Sequence, residues 1–67
     1  MKAPNLHPMD EVALQKDLPE SDLHYGDIGV IIRSFQGGTY DVEFENNQGK
    51  SVIVTKVLLE DLLLVRH

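Results

Sequence analysis

Cysteine and histidine, which often carry catalysis or bind metals, are scarce in this chain of 67 residues. It has no cysteine, and its three histidines, His7, His24 and His67, are widely spaced. His24 lies three residues before Asp27, but a structural zinc site takes four ligands and a catalytic one takes three. We therefore expect no metal and no tightly bound cofactor.

The residues that could act as nucleophile, acid or base also lack a supporting pattern. None of the three serines, Ser21, Ser34 and Ser51, sits in a nucleophile motif. Glu43 and Glu45 are expected on the exposed face of a strand, without the burial that tunes a carboxyl group for proton transfer. The sequence therefore predicts a protein that is not an enzyme.

One short segment carries most of the recognisable chemistry. Asp41, Glu43 and Glu45 alternate strictly with Tyr40, Val42 and Phe44. In a strand, this period of two places the acidic residues on one face and the apolar ones on the other. The acidic row can bind lysine and arginine side chains of a basic partner, or it can be a solvated face that prevents aggregation. The sequence leaves both interpretations open.

Two tyrosines are candidate anchors beside the acidic row. Tyr40 and Tyr25 would contribute binding energy if their rings reach the rim of the sheet, because aromatic side chains dominate many interfaces. Binding of proline-rich peptides is disfavoured, since that mode uses an aromatic-lined groove and the chain has no tryptophan.

The net charge of −5 limits the classes of partner. It opposes binding to nucleic acid and to anionic membranes, and it favours a basic protein partner. Nucleic-acid binding would require a basic patch around Arg33, Lys50 and Lys56. No targeting signal or membrane-length apolar run is visible, so we expect a cytoplasmic protein. Its oligomeric state is left open, including a small homo-oligomer.

The elements that must position these residues are short strands. We predict strands near 10–16, 28–35, 39–46, 50–55 and 62–66, with glycine hairpins at 36–38 and 46–49. Short helical turns are expected within 19–23 and 56–61. Residues 1–8, with two prolines, read as a flexible N-terminal arm, and residues 9–67 as one SH3-like all-β barrel. The predicted core comprises Val12, Leu14, Ile28, Val30, Ile32, Val42, Phe44, Val52, Val54 and Leu62.

Three blocks in this order resemble a family of short, stand-alone bacterial domains of unknown function. They are Leu18-Pro19-Glu20, Gly26-Asp27-Ile28-Gly29 and Tyr40-Asp41-Val42-Glu43-Phe44. The glycine block alone also resembles KOW-type SH3-like domains, which would imply nucleic-acid binding. The family resemblance covers about residues 10–65 and implies an SH3-like fold without an established activity. It also implies a link to toxin–antitoxin neighbourhoods, and hence an antitoxin- or immunity-like protein-interaction module.

Overall fold

The computed structural model describes residues 6–65 and contains five strands and two 3-10 turns. The strands are β1 (Glu11–Leu14), β2 (Ile28–Phe35), β3 (Thr39–Glu45), β4 (Ser51–Leu58) and β5 (Leu62–Leu64). The turns span Pro19–Ser21 and Leu59–Asp61. Both turns fall within the segments where the sequence predicts them, and the all-β, five-stranded prediction is confirmed.

The strands form one antiparallel sheet in the order β4-β3-β2-β1-β5. Two tight hairpins build the β2-β3-β4 meander, and the sheet forms a small barrel-like fold. Gly37 and Gly38 take positive φ values of 95° and 84° in the first hairpin, which only glycine adopts without strain. In the second, Oδ1 of Asn46 accepts hydrogen bonds from the backbone N–H groups of Gln48 and Lys50.

The core lies inside the curved sheet. Its buried residues are Leu6, Val12, Leu14, Leu23, Ile31, Tyr40, Val42, Phe44, Val57 and Leu62. Five of the ten predicted core positions belong to this set, and Val52 and Val54 are half-buried against it. Leu6 packs here although the sequence places it in the N-terminal arm, and residues 1–5 of that arm lie outside the described residues.

The predicted inward face of β2 is wrong. Ile28 and Ile32 are 48% and 41% exposed and Val30 is half-buried, whereas Ile31 is fully buried. The cause is the register, which pairs Ile31 with Val42. Paired residues of an antiparallel sheet share a face, so Ile31 points into the core and its neighbours point outwards.

Two β-bulges meet at Asp41 in the middle of the sheet. On β2, Ile32 is the extra residue between the pairs that Ile31 and Arg33 make with β3. On β4, Thr55 and Lys56 together face Asp41. A bulge bends a strand and increases its twist, so these two bulges help to curl the sheet. Because of the second bulge, β4 continues to Leu58 rather than ending near residue 55.

Candidate interaction groove

An open groove of about 530 Å³ runs across the outer face of the sheet. Its lining, which we call the acidic groove, comprises Glu11, Ile28, Gly29, Val30, Glu43, Phe44, Glu45 and Ser51. Three of these residues are carboxylates, and the floor between them is aliphatic. The groove exists because the register of β2 turns Ile28 and Val30 away from the core.

The register places two of the carboxylates on either side of one apolar residue. Glu11 on β1 is paired with Val30 on β2, and Val30 is paired with Glu43 on β3. Neighbouring strands lie about 4.8 Å apart, so the two glutamates begin roughly 10 Å from each other across the sheet. Beyond Glu43, the same row reaches Ile53, which is 56% exposed.

Glu11 is the one carboxylate of the groove that was not predicted from the sequence as a site residue. It is separated from Glu43 by more than thirty positions in the chain, so only the strand order brings them to one surface. The alternation of Val12 and Leu14 with Glu11 and Ala13 was a usable signal, because it places Glu11 on the outer face of β1.

Of the predicted acidic row, Glu43 and Glu45 line the groove, and Asp41 has a different environment. Asp41 is half-buried, and its Oδ1 accepts a hydrogen bond from the backbone N–H of Lys56 at 3.3 Å. This carboxylate therefore supports the bulge where β4 bends.

The two predicted tyrosine anchors lie in contrasting environments. Tyr40 is only 6% exposed and belongs to the core, so its side chain offers little surface to a partner. Tyr25 is 66% exposed, and its hydroxyl is 3.3 Å from Oε1 of Gln15. Tyr25 is not among the residues that line the acidic groove.

The His24–Asp27 pair forms part of a turn. Oδ2 of Asp27 accepts a hydrogen bond from the His24 backbone N–H at 2.9 Å, as expected for a loop acceptor. Within residues 6–65, there is no group of three or more histidine, cysteine or acidic residues that could hold a metal ion. No helix in this part of the chain is long and apolar enough to cross a membrane.

The basic residues that nucleic-acid binding would require lie on, or next to, two different strands. Arg33 lies on β2, Lys50 precedes β4, and Lys56 lies on β4. Strand β3, with its acidic outer face, runs between β2 and β4. The guanidinium of Arg33 lies 6.0 Å from the Phe35 ring centroid, at the outer limit of a cation–π contact.

Comparison with known proteins identifies a family. No curated protein and no solved structure matches the chain. A family model, described as a domain of unknown function (DUF4926), matches residues 9–64, which cover the whole sheet from β1 to β5. This match over most of the chain confirms the resemblance to a domain of unknown function, and the protein belongs to the DUF4926 family.

Proposed function

We propose that this protein is a non-enzymatic interaction module that binds a basic protein through the acidic groove. The observation that carries the proposal is the combination of three carboxylates with an aliphatic floor in one open groove. A role like that of an antitoxin or immunity protein, which masks a basic surface of its partner, agrees with this chemistry.

Lysine and arginine side chains match the groove in both of their parts. Their aliphatic stems pack on apolar surface while the charged head stays near water. In the groove, a stem would lie over Ile28 and Val30 and its head would reach Glu43 or Glu45. Charge-assisted hydrogen bonds of this kind are stronger than those between neutral groups.

The test compares the wild type with a groove variant, Glu43→Gln/Glu45→Gln, and a matched control, Glu20→Gln/Glu60→Gln. Both variants lose two negative charges, but Glu20 and Glu60 lie on the 3-10 turns, outside the groove. A synthetic peptide of alternating leucine and arginine is titrated against each protein by NMR.

We expect the peptide to shift the amide signals of residues 28–30 and 43–45, and the groove variant to bind at least about tenfold more weakly. The control variant should bind like the wild type, and added salt should weaken binding. Equal affinity for the two variants would refute the groove as the site. If the groove variant binds the peptide more weakly than the control, affinity capture from the host with the same three proteins would identify the natural partner.

A further inference from the structure

We propose that the free edge of β4 binds an extended segment of another protein as a sixth strand, with an acidic residue near each end of that segment. This site meets the acidic groove at Ser51 but uses the backbone edge of β4 rather than the carboxylates of the groove, and it does not rest on the function proposed above. It follows from the strand order, the composition of β4 and a cavity beside it.

Strand β4 is the long outer strand of the sheet. It has eight residues and pairs with β3, and no other described strand pairs with it. The opposite edge, β5, has only three residues. A short edge strand is protected against pairing with another chain, but β4 is too long for this protection.

Before the bulge at Thr55 and Lys56, β4 also lacks the other protective features. Ser51–Thr55 contains no charge, no proline and no glycine, and four of its five residues are β-branched. Such a segment has high strand propensity. Ile53 at its centre is 56% exposed, so an added strand would cover apolar surface as well as form backbone hydrogen bonds.

A cavity beside this edge can receive a side chain of the added strand. It has a volume of about 270 Å³, and its apolar lining residues Leu18, Val54, Val57 and Leu58 lie beside Lys16, Thr55, Lys56 and Asp61. Sites for whole small molecules usually have about 300–1,000 Å³, so the size suits one aliphatic side chain. Recognition by strand addition combines backbone hydrogen bonds with pockets for alternate side chains.

The charges at the two ends of this stretch indicate the nature of the segment. Lys50, just before β4, and Lys56, in the bulge of β4, bracket the uncharged stretch and lie at most about 20 Å apart at 3.3 Å per residue. Pairing with a second copy about Ile53 would place Lys50 of each chain opposite Lys56 of the other, and like charges in direct opposition destabilise a sheet. Each chain also has a net charge of −5. A foreign strand with acidic ends avoids the opposition of lysines and gains an attraction at each end, against the weaker and more distant repulsion of the net charge.

The experiment uses the full chain and a fluorescein-labelled peptide, Glu-Thr-Leu-Thr-Val-Thr-Glu. In the antiparallel register its glutamates face Lys56 and Lys50, and its leucine faces Val54 beside the cavity. We expect this peptide to bind about tenfold more tightly than the same peptide with lysine at both ends. The protein's net charge alone would favour the lysine peptide, so the expected order tests local pairing.

Three controls test the geometry. The variant Lys50→Glu/Lys56→Glu should reverse the preference between the two peptides. Replacing the peptide's leucine by serine should weaken binding about tenfold or more. The alternate backbone nitrogens of the peptide form two sets, which point to its two opposite edges. Methylating the set that faces β4 should abolish binding, and methylating the other set should preserve it, because the added strand pairs through one edge only.

Several results would overturn the proposal. One is preference of the wild type for the lysine peptide, and another is equal loss of binding for both methylated sets. A third is a dimer in sedimentation experiments that Ile53→Lys dissociates, since the edge would then belong to a second copy. A monomer that binds the glutamate peptide with the expected order of affinities supports it.

Discussion

At Gly29, the backbone of β2 and the ring of Phe44 approach so closely that an added methyl group would not fit. A Cβ built at this position lies 2.6 Å from Cδ1 of Phe44 and 2.9 Å from the backbone oxygen of Glu43. The backbone oxygen cannot move without disturbing β3. Glycine is therefore needed here for space, whereas Gly26 nearby has a φ of 91° and is needed for its conformation.

We predict that Gly29→Ala lowers the free energy of unfolding by about 1–3 kcal/mol, which is the usual cost of overpacking a core. Urea denaturation followed by circular dichroism measures this change. Gly37→Ala is the matched control, because a Cβ there meets nothing within 4 Å. Its φ of 95° should still cost about 1 kcal/mol.

A double-mutant cycle separates steric crowding by Phe44 from the cost of backbone conformation. Phe44→Leu makes room beside residue 29, so Gly29→Ala should cost less in that background than in the wild type. Gly37→Ala should cost the same in both backgrounds, because independent sites are additive. Identical costs for Gly29→Ala in the two backgrounds would show that the Phe44 contact is not the cause.

At the scale of the strand, Asp41 links two elements that both change register beside it. Its carboxylate accepts the Lys56 N–H at 3.3 Å, and Lys56 itself has a φ of 58°. A residue other than glycine in this conformation costs about 1–2 kcal/mol, and the hydrogen bond offsets part of that cost.

We predict that Asp41→Ala destabilises the protein by about 1–2 kcal/mol, because the bulge loses a charge-assisted hydrogen bond. Asp41→Asn keeps an oxygen acceptor and should lose less, and Glu45→Ala on the same strand should change stability by less than about 0.5 kcal/mol. Thermal and urea denaturation measure all three. If Asp41→Ala and Glu45→Ala are equally mild, Asp41 is only a surface charge.

The local sequence pattern decides which strands could be predicted. Strand β3 follows a strict alternation, so its bounds, its core residues and its acidic face are readable from local pattern. Strand β2 is a nearly continuous apolar run, so its sequence is compatible with either phase, that is, with either set of alternate residues facing the core. Its phase depends on the contact between Gly29 and Phe44, and this contact exists only after β2 and β3 pair. The acidic groove depends on that phase, so local pattern can place Glu11, Glu43 and Glu45 on the outer faces of their strands but cannot show that these residues share one groove.

At the scale of the whole molecule, the distribution of charge bears on the alternative of a nucleic-acid-binding domain. The net charge is −5, and the groove on the outer face carries three of the carboxylates. Arg33 and Lys56 lie on opposite sides of β3, and the acidic residue Asp41 is paired between them. Affinity for nucleic acid comes largely from basic residues that displace counterions from phosphates, so this arrangement opposes such binding.

We predict no micromolar binding of the wild type to single- or double-stranded RNA or DNA at physiological salt, measured by fluorescence anisotropy. The positive control is the variant Glu11→Lys/Glu43→Lys/Glu45→Lys. Each substitution adds two charges, which changes the net charge from −5 to +1 and makes the groove basic. This variant should bind single-stranded RNA with an affinity that falls steeply as salt rises, because counterion release drives the binding. Salt-sensitive binding by the wild type would instead establish the nucleic-acid function, and it should then be lost in Arg33→Gln/Lys50→Gln/Lys56→Gln.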